Sequence, residues 1–442
     1  MKIRSYSNLP EEIIVDILSR LPARTVGQCR CVSKAWRGLL SQPQFIRYHL
    51  RRSKILRRES LLLFSYSQRS LSSASLSNAH HLFDQITTSA TRLSLPVHPG
   101  SRAWVYGSCD GLLLVRDEEH KRFVLNPITR EIKEVPPLPF DPRVLFTMHG
   151  LGYDSVSDDY KVVTLCNCRH RYEPDCVRMF VNVYSLKSGS WESGSFTRDY
   201  DVGPVISGVF VNGCLHWLTR RTRDHKPAIL AFDLAEDKFC EVPLPPSSSA
   251  NGDTFVLSYL AELGGCLWIL SENESESGTH AWTMKEYGVQ DSWTKFTINY
   301  LDVDNYFDVN EIKPLCLLGQ DEMVLLNDCE ELVVYNLKEQ TFKDILVCGV
   351  SEGFFAQVSF VESLISPHDS IEADCTGFFV SSISNRGFLL LYHLQDECTV
   401  EYAVECFKTS IETTEWNAFM MKLYMDLIDV LYTRHFGDGI HS

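Results

Sequence analysis

The sequence lacks the segments that would carry the chain into or across a membrane, and it lacks the common enzyme motifs. No stretch of about 18 apolar residues occurs, and the chain does not begin with a positive and then apolar segment, so neither a span nor secretion is expected. GxSxG, HExxH, P-loop and dinucleotide-binding motifs are absent, and the carboxylates are dispersed without a paired pattern. We therefore predict no catalytic residues and no cofactor.

A compact cysteine framework is also missing. The 15 cysteines of the 442-residue chain are odd in number and scattered, which is typical of reduced thiols in the cytoplasm or nucleus. The best metal candidate is the set Cys166, Cys168, His170 and Cys176, but it lacks the two-residue gap between ligands that structural zinc sites use. We interpret the three cysteines as reduced thiols at a strand edge and predict no bound metal.

Charges of both signs are present, and they are unevenly distributed. Residues 1–60 carry 13 Lys/Arg and 4 Asp/Glu, a net charge of +9; because the whole chain has −15, residues 61–442 sum to −24. A basic arm on an acidic body favours an acidic partner for the arm and argues against nucleic-acid binding by the body. The densest basic run, residues 51–58, is either an import or phosphate-contact signal or a solvated helix end between domains.

Residues 9–50 have the pattern of a small helical unit. Pro10 suits a first helical turn, the apolar side chains of residues 14–21 recur at helical spacing, and Pro22 ends the run. A second short helix is predicted over residues 24–30, and a third shortly after it. About forty residues are too few to bury such stripes alone. The unit is therefore either a helical hairpin packed on its own domain or a docking module whose apolar face another protein covers.

The string LP–EII–ILSRLP–RCVSKAWR–L in this unit resembles an F-box, the motif by which receptor subunits bind the Skp-type adaptor of cullin ubiquitin ligases. Gly27 and Cys29 depart from the family pattern, which often has an aliphatic and an aromatic residue there. A helical glycine costs about 1 kcal/mol and each buried aliphatic anchor gives roughly 1.5–3 kcal/mol, so we expect docking to be weakened but retained. The resemblance implies ten adaptor contacts, namely Leu9, Pro10, Ile14, Leu18, Leu21, Pro22, Val26, Cys31, Val32 and Trp36.

From about residue 60 the pattern changes to short strands separated by Gly, Asn, Asp and Ser. One unit recurs five times: an apolar strand, a polar turn marker, and an aromatic or aliphatic residue six positions after the marker. The markers are Asn126, Ser185, Asp233, Tyr287 and Asn336, and the residues that follow them are Ile132, Trp191, Phe239, Trp293 and Phe342. A repeat of about fifty residues built from strands predicts the blades of a propeller, with the five aromatic or aliphatic residues packed between blades. A β-sandwich, which needs no such repeat, is the second choice.

Segments such as GSCDGLLLV, FVLNPITREIKEVP, VYSLKSGSW and GVFVNGCLHWL resemble the type 1 F-box-associated domain, which is frequent in plant F-box receptors and belongs to the propeller class. The resemblance covers roughly residues 100–350. Together with the F-box resemblance it implies an α+β multidomain chain with an F-box at 1–50 (core 9–50), a basic linker at 51–60 and an all-β propeller of about six blades (alternatively five or seven) at 61–370. The resemblance does not reach the C-terminal extension at 371–442, where apolar side chains at helical spacing predict a helix near 409–432.

Three segments of the body are predicted as loops. Residues 65–80 are rich in serine and are expected to be flexible. The basic stretches 169–171 and 220–226 stand out on the acidic body. They either recognise an acidic or phosphorylated segment or are simply solvated, and we favour the second interpretation.

The two resemblances imply a non-catalytic substrate-recognition subunit of a Skp–cullin–F-box ubiquitin ligase, which we expect to act in the cytoplasm, the nucleus or both. The F-box would bind the Skp-type adaptor and through it a cullin, and the propeller would bind a protein target of unknown identity. No membrane partner is expected. The alternatives are a scaffold or inhibitor that binds its target without degradation, and a kelch-type enzyme that uses the central channel of the propeller.

Overall fold

A computed structural model describes the chain at residues 11–31, 34–65, 70–77, 79–82, 85–93, 103–138, 144–169, 177–196, 200–201, 207–246, 256–272, 279–298, 312–327, 331–350 and 354–368. These residues fall into two units that meet in the sequence between Arg52 and Ser53. No described helix is long and apolar enough to cross a membrane. Three predicted adaptor contacts, Leu9, Pro10 and Val32, and the predicted helix near 409–432 lie outside the described residues.

Four α-helices precede the first strand in the described part of the chain. They are α1 (Glu11–Ser19), α2 (Ala23–Cys29), α3 (Lys34–Leu40) and α4 (Pro43–Ile55). The first three agree with the predicted helices. The fourth has no predicted counterpart because basic side chains dominate its second half, yet Phe45, His49 and Leu50 are buried along it. It also takes in residues 51–55 of the predicted linker.

After the end of α4, the described residues of the second unit form strands and one 3-10 turn, at Gln290–Ser292. In chain order the strands are β1 (Glu59–Ser65), β2 (Ser70–Ser75), β3 (His80–Leu82), β4 (Gln85–Arg92), β5 (Ala103–Cys109), β6 (Leu112–Asp117), β7 (Arg122–Leu125), β8 (Ile132–Val135), β9 (Val144–Asp154), β10 (Asp159–Arg169), β11 (Val177–Ser185), β12 (Ser190–Phe196), β13 (Tyr200–Asp201), β14 (Val209–Val211), β15 (Cys214–Arg221), β16 (Pro227–Asp233), β17 (Lys238–Val242), β18 (Val256–Leu263), β19 (Cys266–Glu272), β20 (Thr279–Met284), β21 (Trp293–Ile298), β22 (Ile312–Leu317), β23 (Glu322–Asn327), β24 (Glu331–Asn336), β25 (Thr341–Cys348) and β26 (Phe354–Val361).

The described strands form six antiparallel groups, named here sheets 1 to 6. Sheets 2, 3, 5 and 6 are β5–β8, β9–β12, β18–β21 and β22–β25, each in sequence order. Sheet 4 has the order β13-β15-β16-β17, with β14 also paired to β15. Sheet 1 has the order β26-β1-β2-β4, with β3 paired to β4, and so combines the two ends of the unit: Glu59 of β1 lies opposite Val361 of β26. A parallel pairing of β4 with β25 joins sheets 1 and 6.

Side chains pack between neighbouring sheets all the way round. Buried apolar clusters link sheet 1 to 2, 3 to 4, 4 to 5, 5 to 6 and 6 to 1. Sheets 2 and 3 meet where the rings of Tyr106 and His149 lie 4.7 Å apart. A closed ring of antiparallel sheets, completed by the last strand pairing with the first, is a β-propeller. The predicted fold class, N-terminal helices followed by an all-β propeller, is confirmed. Sheets 1 to 6 are the blades that the described residues form.

Four of the five repeat markers close the turns between the third and fourth strands of their sheets. The Oδ1 atom of Asp233, for example, accepts hydrogen bonds from the N–H groups of Ala235 and Glu236, at 2.8 and 2.9 Å. Asn126, Ser185 and Asn336 do the same in their turns. Tyr287 is the exception, and the 3-10 turn follows it instead. The predicted packing of Ile132, Phe239, Trp293 and Phe342 between sheets is confirmed.

The prediction of a flexible loop at residues 65–80 is wrong for most of the residues in that range that the structure describes. Ser70–Ser75 forms β2, which pairs antiparallel with β1. Ser70 and Ser72 are buried, and Ala74 packs in the cluster between sheets 6 and 1. Serine content indicated a solvated loop, whereas here the small side chains belong to a strand that is covered on both faces.

Candidate functional site

Three polar contacts hold the helical unit together. Arg30 is buried, and its Nε and Nη2 atoms donate to the carbonyl oxygen of Leu40 at the end of α3, at 3.2 and 2.8 Å. His49 of α4 places Nε2 2.8 Å from the carbonyl oxygen of Leu21; because a carbonyl only accepts, Nε2 carries the proton. The third contact is an ion pair of 2.7 Å between Asp16 of α1 and Arg52 of α4. These contacts fix all four helices around one interior.

The predicted adaptor contacts separate into two groups by burial. Leu18, Leu21 and Val26 are 2%, 3% and 0% exposed and belong to the interior. Ile14, Pro22, Cys31 and Trp36 are only half-buried, so each keeps apolar surface open to a partner. The structure thus brings seven of the ten residues into one unit, and four of these present partly open surface.

The two positions that depart from the F-box pattern are accommodated within α2. The helix continues through Gly27, and both Gly27 and Cys29 are buried. Burial, and secondarily the neighbouring Cys31, raises the pKa of the Cys29 thiol to about 12. The thiol therefore stays protonated and packs as a small apolar group.

A cavity of about 600 Å³ lies in the propeller among β5, β14, β18, β22 and β26, the inner strands of five sheets. At one end Lys54 approaches Asp110, with Nζ 2.5 Å from Oδ1, and the Tyr160 hydroxyl donates to Oδ2 of the same carboxylate at 2.9 Å. Asp110 and Gly111 both have positive φ, and a Cβ at Gly111 would lie 2.5 Å from the carbonyl oxygen of Val361. The Cys-Asp-Gly sequence thus forms a tight turn that only glycine fits at its second position.

Sequence comparison agrees with both units. A family model described as F-box associated beta propeller domain matches residues 70–367, and one described as F-box-like matches residues 6–52. The chain belongs to the F-box proteins with an F-box-associated propeller. Its relatives include the F-box protein CPR1 of Arabidopsis thaliana, 31% identical over 397 residues that cover 81% of this chain and 89% of the relative. The F-box/WD-40 repeat-containing protein 1 of Arabidopsis thaliana is 24% identical over 405 residues, with 88% and 89% covered.

Among solved structures, this F-box protein resembles an oligogalacturonate lyase from Vibrio parahaemolyticus with a TM-score of 0.37 and 10% identity, over 66% of this chain and 80% of that one. A likeness this weak carries no argument about activity. The family itself implies binding of a Skp-type adaptor through the F-box and a role in ubiquitination.

Acidic side chains gather near the cavity of the F-box protein. Burial, together with the negative charges of Glu262 and Glu362, raises the pKa of the Glu59 carboxyl to about 8. Burial also raises the pKa of Glu262. Glu362 is buried and accepts hydrogen bonds from the hydroxyls of Ser60 and Ser75, at 3.0 and 2.6 Å. Glu59 therefore holds its proton near neutral pH, which limits repulsion within the group.

The remaining candidates from the sequence are not assembled into a site. Cys166 is buried on β10, while His170 and Cys176 lie outside the described residues. No group of three His, Cys, Asp or Glu side chains in the described part of the chain is placed to hold a metal ion. In the basic stretch 220–226, Arg221 donates from Nε to Glu241 at 3.0 Å, so its charge is already paired.

Proposed function

We propose that this F-box protein is the substrate-recognition subunit of a Skp–cullin–F-box ubiquitin ligase. The helical unit would bind the Skp-type adaptor, and the adaptor would connect it to a cullin. The observation that carries the proposal is the half-buried set Ile14, Pro22, Cys31 and Trp36 within the matched F-box-like segment. The net charge of +9 on residues 1–60 favours an acidic adaptor surface and fast association.

The proposed mechanism is proximity. The propeller holds a target protein while the assembled ligase brings a ubiquitin-charged enzyme to lysines of that target. Holding two reactants together raises their effective concentration without chemistry by the receptor. We accordingly propose that the chain is not itself an enzyme.

The target surface is expected at one end of the propeller. At the end nearest Lys54, the inner strands turn back through short turns such as Asp110–Gly111 and Asn212–Gly213. A longer connection, residues 222–226, joins β15 to β16 at the opposite end. Recognition concentrates on longer loops carried by a rigid scaffold, so this opposite end is the expected target surface.

Co-purification of the full-length chain with a purified Skp-type adaptor tests the proposal. Ile14→Ala combined with Trp36→Ala should reduce adaptor recovery at least about tenfold, because two anchors of roughly 1.5–3 kcal/mol each are shortened. Tyr48→Ala, which also removes an exposed aromatic group from the helical unit, should leave recovery unchanged. Equal recovery of the double variant and the wild type would contradict the proposal.

A further inference from the structure

Two arginines of sheet 2 face each other with no acidic partner among the residues that the structure describes. Arg116 of β6 lies directly opposite Arg122 of β7, a position in which Cβ atoms are about 4.5–5.5 Å apart and like charges repel. Neither forms an ion pair within the described residues, although residues 61–442 carry a net charge of −24. Both Nε atoms are buried without a hydrogen-bond partner in that part of the chain.

Aromatic rings fix one of these guanidinium groups. Trp104 of β5 lies opposite Arg116 in the next strand pair, and the Arg116 guanidinium carbon is 5.2 Å from the centre of its ring. The same carbon is 5.5 Å from the centre of the Tyr106 ring. Trp104 is 36% exposed and both arginines are half-buried. Arg116 is therefore held by two aromatic rings, and both arginine side chains keep part of their surface open to solvent.

A buried histidine from sheet 3 completes the cluster. His149 is 0% exposed, its Nδ1 lies 3.1 Å from the Thr164 hydroxyl oxygen, and its Nε2 has no hydrogen-bond partner among the described residues. Burial, and then the charges of Arg122 and Arg116, hold the pKa of His149 well below its usual range. The imidazole is therefore neutral, and the positive charge of the cluster is that of the two arginines alone.

The cluster costs stability in the absence of a ligand. A like-charged pair on adjacent strands and three buried nitrogen atoms without partners are each unfavourable, and the described chain supplies no compensating carboxylate. Two neighbouring guanidinium groups, one of them held by aromatic rings, match a group that carries two negative charges and several acceptor oxygens. A phosphomonoester has a charge of about −1.5 to −2 at pH 7, whereas a carboxylate has −1.

We propose that Arg116 and Arg122 form a binding site for a phosphomonoester group between sheets 2 and 3. The arginine side chains supply the charge-assisted hydrogen bonds, and Trp104 and Tyr106 hold Arg116 in position. The group is carried either by a small phosphorylated molecule or by a phosphorylated side chain. The site lies at the propeller end with the longer connections, since Arg116 is near the end of β6 and Arg122 begins β7.

The test measures phosphate binding to the full-length chain without adaptor, so its outcome is independent of the proposed ligase function. Line broadening in ³¹P NMR reports binding of inorganic phosphate, and the thermal midpoint in phosphate against chloride at equal ionic strength reports stabilisation. Arg122→Gln and Arg116→Gln should each weaken binding by about tenfold or more. Arg223→Gln, which removes the same charge from an exposed position, should leave it unchanged.

Two further measurements show which kind of molecule carries the phosphate group and control for misfolding of the variants. Arg122→Lys keeps the charge without the planar fork and should bind phosphate more weakly than the wild type with an unchanged near-ultraviolet circular dichroism spectrum. A neutral peptide with one phosphoserine should bind more tightly than inorganic phosphate if a phosphorylated side chain is the source, and no better if a small molecule is. No phosphate binding by the wild type, equal binding by Arg122→Gln, or equal binding of acetate would overturn the proposal.

Discussion

The indole N–H of Trp191 donates a hydrogen bond of 3.0 Å to the carbonyl oxygen of Pro136 and so ties sheet 3 to sheet 2. The same relationship recurs two sheets further on, where Trp293 of sheet 5 donates to Pro243 of sheet 4 at 2.9 Å. Both prolines end the same Glu-Val-Pro sequence. At both positions the tryptophan therefore hydrogen-bonds to the preceding sheet, and Trp293 also packs in the buried cluster between sheets 4 and 5.

Replacing Trp293 by phenylalanine should lower the stability of the propeller. The variant loses one hydrogen bond and part of a side chain that is 6% exposed within the cluster between sheets 4 and 5, at a cost of about 1–3 kcal/mol. Urea unfolding followed by circular dichroism measures the loss. Trp104→Phe, at an exposed position outside that cluster, should shift the midpoint much less; equal shifts would contradict a packing role for Trp293.

The buried marker Asn126 should matter more than its half-buried equivalent Asn336. Both cap their turns, but Asn126 is 0% exposed and its Nδ2 also donates to the carbonyl oxygens of Ser363 and Ile365, at 3.1 and 2.8 Å. Asn126→Ala leaves these two carbonyls without a donor, so we expect a loss of about 2–4 kcal/mol against about 1 kcal/mol for Asn336→Ala. Thermal unfolding of the two variants tests the ranking, and a larger loss for Asn336→Ala would reject it.

The sequence predicted those features of the fold that repeat or follow a period. Helical spacing located α1 to α3, and the fifty-residue repeat located the turn markers and the residues packed between sheets. It missed β2, because serine content masked a buried strand, and α4, because its apolar residues are few. It also missed the pairing of Arg116 with Arg122, since only the register of β6 and β7 brings these residues together.

Burial separates the interior residues of the helical unit from the half-buried residues that we propose contact the adaptor. Leu18→Ala should destabilise the helical unit by about 2–5 kcal/mol, because it opens a cavity at a side chain that is 2% exposed. Ile14→Ala removes a half-buried side chain and should reduce adaptor binding while the helices stay folded. Amide hydrogen exchange of α1 and α2, measured beside adaptor binding, distinguishes the two effects. Loss of protection in Ile14→Ala equal to that in Leu18→Ala would contradict the division.

The raised pKa of Glu59 predicts how the stability of the propeller depends on pH. An unfolded glutamate ionises near pH 4.5, whereas in the folded protein burial, Glu262 and Glu362 raise the pKa of Glu59 to about 8. Between these values the folded state binds the extra proton, so the contribution of Glu59 to the free energy of unfolding falls as pH rises and is constant above about pH 8. Glu59→Gln replaces the protonated carboxyl by a neutral group of similar shape that does not ionise. The thermal midpoint of this variant should therefore be less sensitive to pH between 5 and 8. Glu331→Gln, at an exposed position, is the control; identical pH profiles for wild type and Glu59→Gln would show that Glu59 ionises normally in the folded protein.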